Sequence, residues 1–101
     1  MEKIFIIGNL TRDPEYSETS AGVAVCKFTV AVNHADDGAD FFPVTAFRKL
    51  AESVSRYTRK GKKIAVLGDL KIKEYETKSG ERRISAEVVA STVEFLHIKE
   101  E

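Results

Sequence analysis

The sequence predicts a small all-β barrel of five strands with one short helix between the third and the fourth. Three observations carry that expectation. Apolar residues recur mostly with the period of two that strands impose. One stretch, Asp40 to Gly61, switches from that period to a helical one with no loop between. And a chain of 101 residues forms one domain that buries roughly 60–65 % of its unfolded surface in a single modest core.

Lys3 to Leu10 reads as the first strand, β-branched and ended by polar residues. Gly8 within it marks a bend or a close backbone approach. Thr11 to Pro14 is a turn, because Pro14 presets its own φ and keeps Asp13 out of the helical region. Glu15 to Gly22 is polar and reads as a surface connection. The second strand runs from Val23 to Asn33, with Cys26, Phe28, Val30 and Val32 on its core face and Lys27, Thr29, Ala31 and Asn33 on the other. His34 to Ala39 is a short polar turn.

The third strand follows from Asp40. Phe42, Val44 and Ala46 alternate with Phe41, Thr45 and Phe47, so if the first set faces the core the second faces outward. At Arg48 the pattern becomes helical: Leu50, Val54 and Tyr57 recur on one face, and Ala51 and Thr58 widen the stripe. Gly61 marks the helix stop. Arg56, Arg59, Lys60, Lys62 and Lys63 surround it, where positive charge complements the helix dipole. Ile64 to Tyr75 is the fourth strand, with Ile64, Val66, Leu70 and Ile72 on one face and Lys71, Lys73 and Tyr75 on the other. Thr77 to Glu81 is a hairpin tip. The last strand, Arg82 to about Leu96, returns along the fourth. The domain is expected to span residues 1–101 with its core at about 3–96.

Composition excludes several classes. Sixteen basic and sixteen acidic residues leave a formal net charge of zero, so any electrostatic site is a local patch rather than a global field. Residues 1–50 hold five basic and seven acidic groups, and residues 51–101 hold eleven and nine. Cys26 is the only cysteine, which excludes a disulfide framework and a Cys-based zinc cluster and suits a buried, inert thiol. MEKIFIIG is too short for a signal segment and no stretch approaches a membrane span, so the expected location is the cytoplasm.

No catalytic set emerges. His34 and His97 are far apart and lack metal-ligand spacing. Gly68 and Gly80 are isolated, so there is no phosphate loop. Asp36, Asp37 and Asp40 read as a solvated turn rather than a metal cluster. The sequence therefore predicts a non-enzymatic protein with no metal and no cofactor. The functional hint is Phe41 and Phe47: two large aromatics on the outer face of one strand are either covered by a partner or offered as stacking surfaces for bases. Three strands, a helix and two strands is also the order of the five-stranded OB barrel, which binds oligonucleotides across its face.

Several stretches resemble one family over nearly the whole chain, from Lys3 to Leu96. They are IGNLTRDPE at 7–15, AVCKFTVAVN at 24–33, FRKLAESVSRY at 47–57, KGKKIAVLGDLK at 60–71, EYETKSGERR at 74–83 and AEVVA at 86–90. Together they resemble the bacterial single-stranded DNA-binding proteins. The resemblance implies an OB fold, a homotetramer, and sequence-independent binding and protection of single-stranded DNA in replication, recombination or repair, at the nucleoid. It also implies base stacking on Phe41, Phe47 and Tyr75 and phosphate contacts from Lys3, Lys49, Lys71 and Lys73. The alternatives are a protein-interaction OB module of a replication complex, such as a primosome-type accessory factor, and an RNA-binding OB protein.

Two departures modify these expectations. No aromatic stands near Asp36, where some members carry a further stacking residue, and the loop there is short, so fewer nucleotides per subunit are expected. The sequence ends at His97-Ile98-Lys99-Glu100-Glu101 without the acidic, hydrophobic-tipped tail of many relatives, so poor recruitment of replication and repair enzymes is expected.

Overall fold

The computed structural model describes residues 2–96, and the strands in it come from β-branched alternation. The elements are β1 (Lys3–Leu10), β2 (Glu15–Glu18), β3 (Ala24–Asn33), β4 (Ala39–Phe47), α1 (Arg48–Tyr57), β5 (Lys63–Glu76) and β6 (Arg82–Leu96). Neighbouring strands follow the order β1-β5-β6-β4-β3-β2, and a further β1–β3 pairing closes five of them into a ring. All pairings are antiparallel except β4–β6, which is parallel through Val44↔Val88 and Thr45↔Val89. The barrel is an OB fold, as expected from the element order.

The barrel interior is narrow and is filled by small branched side chains. Val30, Val44, Ile64, Val66 and Val88 are fully buried, together with Cys26 and, from the helix, Val54 and Ala51. Each such Val or Ile contributes about 1.5–3 kcal/mol on burial. Closure demands a close approach at Gly8, where a Cβ would collide with the carbonyl of Ala31. The glycine thus lets β1 lie against β3.

Several readings need correction. Glu15 to Gly22 is not merely a connection: Glu15–Glu18 pairs antiparallel with Lys27–Ala24 as β2. A four-residue polar strand on a sheet edge has no apolar alternation, so the sequence could not announce it. The helix consequently lies between the fourth and fifth strands in chain order. It also ends at Tyr57, before Gly61. Thr58 is extended and buried and donates its N–H to the Val54 carbonyl at 3.2 Å. The chain then binds to the end of β1: Gly61 N–H donates to the Leu10 carbonyl at 2.8 Å and Asn9 Nδ2 to the Gly61 carbonyl at 3.0 Å. Gly61 takes its positive φ of 86° in that turn.

Tyr57, assigned to the buried stripe, is exposed, with its ring 5.9 Å from that of Phe95. Ile72, assigned to the core face, is exposed as well. The reason is length. β5 and β6 stay paired from Lys63↔Leu96 to Glu76↔Arg82, and beyond Leu70 the β5 side of this hairpin has outrun the barrel, so both its faces meet solvent. Smaller differences are the starts of β3 at Ala24 and β4 at Ala39. Residues 97–101, which include His97 and the sequence end, lie outside the described residues.

Candidate nucleic-acid interface

The outward phase of β4 depends on its partner. Val44 stands opposite Phe28 and Ala46 opposite Cys26, and all four are buried. Phe42 is half-buried against the same core. The other phase therefore turns outward, leaving Phe41 64 % and Phe47 40 % exposed. Six residues of strand separate the two rings by roughly 20 Å. Thr45, between them, is buried instead and donates from Oγ1 to Glu87 Oε2 at 3.1 Å.

The same face continues across the sheet, because directly opposed residues of neighbouring strands point the same way. Thr45 pairs with Val89, Val89 with Asp69, and Asp69 with Lys3. Odd-numbered residues of β5 from Asp69 onward and of β6 up to Val89 thus share the outer face with Phe41 and Phe47, on that side of the register shift at Leu67/Gly68. Lys71, Lys73 and Tyr75 belong to that set, opposite Glu87, Ser85 and Arg83. Tyr75 is 52 % exposed near the tip of the arm, which is closed by Thr77 N–H to the Glu81 carbonyl at 2.8 Å.

The four lysines are not equivalent. Lys71, Lys73 and Lys49 are exposed and make no ion pair among the described residues. Lys3 Nζ lies 2.8 Å from Asp69 Oδ1. The hydrogen bond from Lys3 holds the Asp69 carboxyl below its usual range, and the nearby positive charges of Lys3 and Lys71 add to the effect. Lys3 thus already has a counter-ion. Lys49 comes from the second residue of α1, beside Phe47 in an open hollow of about 780 Å³.

The strand-to-helix switch needs no loop because Arg48 takes a left-handed φ of 59°. For a residue with a Cβ this costs about 1–2 kcal/mol. The helix also starts without a side-chain cap or an acid in its first turn. The burial of Ala51 and Val54 is what holds it there.

Sequence reasoning passed over three residues on or beside this surface. Lys27, opposite Thr45, was legible as outward but given no role. Arg83, opposite Tyr75, follows only from the hairpin register. Tyr16 follows only from β2. The Cys26 thiol is buried, and burial pushes its pKa up to about 11. Among the described residues, no three His, Cys, Asp or Glu side chains are grouped to hold a metal ion. His34 instead pairs with Asp40 at 3.0 Å, at the turn leading into β4. No helix among the described residues is long and apolar enough to cross a membrane.

The chain is similar to known proteins. The single-strand binding protein family matches residues 1–96. A Thermotoga maritima protein named single-stranded DNA-binding protein is 42 % identical over 96 % of this chain and 74 % of its own. Single-stranded DNA-binding protein 1 of Staphylococcus aureus is 40 % identical over 98 % of this chain and 67 % of its own. Single-stranded DNA-binding protein 1 of Clostridium acetobutylicum is 39 % identical over 100 % of this chain and 98 % of its own. With the fold, the outward aromatics and these likenesses together, the chain belongs to the single-strand binding protein family.

Proposed function

We infer that this chain binds and shields single-stranded DNA without regard to sequence, as one nucleic-acid-binding domain with no enzymatic step. The observation that carries the reading is the shared outer face of Phe41, Phe47 and Tyr75 beside unpaired lysines, in a chain of this family. Stacking contributes about 1–3 kcal/mol per base and accepts any base, since every base has a π face. Lys49, Lys71 and Lys73 contact phosphates, with Lys3 as a weaker fourth because Asp69 competes for it. Phosphate contacts release counter-ions, so affinity falls as salt rises. Such a protein works where bacterial DNA lies, in the cytoplasm at the nucleoid.

The reading includes a homotetramer. The outer face of β1 and β5 carries Phe5, Ile7 and Leu67, all exposed; Phe5 is directly opposite Leu67. β1 pairs with β3 only at Asn9 and Leu10, so the rest of that edge has open backbone groups. A second copy covers both features. Several subunits on one strand then bind more tightly than one, through effective concentration.

Titration of tyrosine fluorescence with oligo(dT), competed by matched RNA and duplex DNA, tests the function. Saturable binding that weakens with salt and resists both competitors is expected. Absence of binding to oligo(dT) at low salt would overturn it.

A further inference from the structure

A hollow beside Phe47 adjoins the face described so far. Its walls are the β2–β3 hairpin, with Tyr16 and Glu18, and the start of α1, with Arg48, Lys49 and Glu52. Its volume of about 780 Å³ falls within the range of small-ligand sites. Tyr16 is 43 % exposed at the wall, an aromatic face open on an edge strand. Arg48 is held in its left-handed conformation at the junction, and it stands beside Lys49, whose ammonium has no ion-pair partner among the described residues.

We propose that this hollow is a further nucleotide subsite, in which the single strand leaving Phe47 turns between the β2–β3 hairpin and α1. The proposal rests on the stacking reading above, because the strand must arrive over Phe47. Tyr16 receives the base, and Arg48 and Lys49 receive its phosphate. Continuity supports a nucleotide as the occupant: Phe47 and Lys49 line this hollow as well as serving the outer face. Glu18 and Glu52 fix the orientation. Two carboxylates repel a phosphate but accept hydrogen bonds from a base amino group, as from cytosine N4. They lie close enough to the Tyr16 phenol to raise its pKa, after the larger effect of desolvation. The base edge therefore points toward the acids and the phosphate toward Arg48. Thymine, with no amino group, gains less from this subsite than cytosine.

The test measures affinities of oligo(dC) and oligo(dT) of equal length, at several salt concentrations, with a melting curve for each variant. Tyr16→Ala is expected to weaken oligo(dC) by about 5- to 150-fold, and oligo(dT) by less. Tyr16→Phe should retain the wild-type affinity, since the ring remains. Arg48→Asn keeps a residue that tolerates the left-handed conformation and removes the charge. It should lower the salt slope by roughly 0.7, and it keeps the test open should Tyr16→Ala not fold. Wild-type affinity in Tyr16→Ala, or an unchanged slope in Arg48→Asn, would overturn the subsite. Equal losses for the two oligonucleotides would overturn its orientation. Tyr75→Ala separates this from the parent reading: if it weakens binding while Tyr16→Ala does not, the stacking face stands and the hollow is idle. If neither weakens binding, and Phe47→Ala does not either, the stacking reading has failed with it.

Discussion

Phe41 on β4 and Phe5 on β1 are exposed to nearly the same degree, 64 % and 62 %, yet their surroundings differ. Phe5 faces Leu67 across the ladder, and its strand-mate Ile7 faces Ala65. These residues make a contiguous apolar strip. Phe41 faces only Ala31 and shares its side of the sheet with Lys71, Lys73 and Tyr75. Exposure alone therefore does not say what an aromatic is for. A contiguous strip has most to gain from a matching apolar surface, because the hydrophobic contribution scales with the area removed from water. An isolated ring has little area to bury but offers a π face, and lysines on the same side of the sheet supply counter-charge, which is what a base and its phosphate require.

The largest effect should come from the interior on which both regions stand. Ile64→Ala removes a fully buried side chain and is expected to lower stability by about 2–5 kcal/mol, measured by denaturant unfolding. Phe42→Ala should fall at or below the low end of the usual aromatic loss of about 3–5 kcal/mol, because that ring is only half-buried. A core change that left stability intact would mean that assembly, not the barrel, maintains the fold.

Phe5→Lys sharpens the contrast next. In the proposed subunit contact, a charge buried without a partner carries a penalty of several kcal/mol. Sedimentation equilibrium should show a shift toward the 11.3 kDa chain mass, with the melting of each subunit and its affinity for a short oligonucleotide largely retained. An undisturbed tetramer would place the subunit contact elsewhere.

Elsewhere on the outer surface, Phe41→Ala, Phe47→Ala and Tyr75→Ala should each weaken oligo(dT) binding by about 1–3 kcal/mol. Their thermal midpoints should move little, because none of the three side chains fills the core. If Phe47→Ala and Tyr75→Ala both bind as wild type, the two regions do not differ in role, and both are protein contacts.

The smallest effects distinguish the lysines. Lys73→Ala should reduce the salt slope by roughly 0.7, the value for one phosphate on a single strand. Lys3→Ala should reduce it less, because Asp69 already neutralises that ammonium at 2.8 Å. Asp69→Asn should then raise the slope by freeing Lys3. Equal slopes for Lys3→Ala and Lys73→Ala would show that the ion pair yields to phosphate without resistance.

The sequence by itself determined the phase of β3, β4 and β5, the strand-to-helix switch at Arg48 and the hairpin tip at Gly80. These features are local. Alternation along a strand follows from the backbone geometry of successive residues, so the outward position of Phe41 and Phe47 and the shared side of Lys71, Lys73 and Tyr75 could be read without knowing any partner. Only the tertiary structure decided the rest. β2 exists because Glu15–Glu18 finds the edge of β3, and with it came Tyr16 and the hollow beside Phe47. Ile72 is exposed because the arm outruns the barrel, although its period matches that of Leu70. The helix stops at Tyr57 because the following residues bind the end of β1. Lys3 meets Asp69 through the β1–β5 register. Each of these depends on residues distant in the chain being brought together, and no local period encodes which ones will meet.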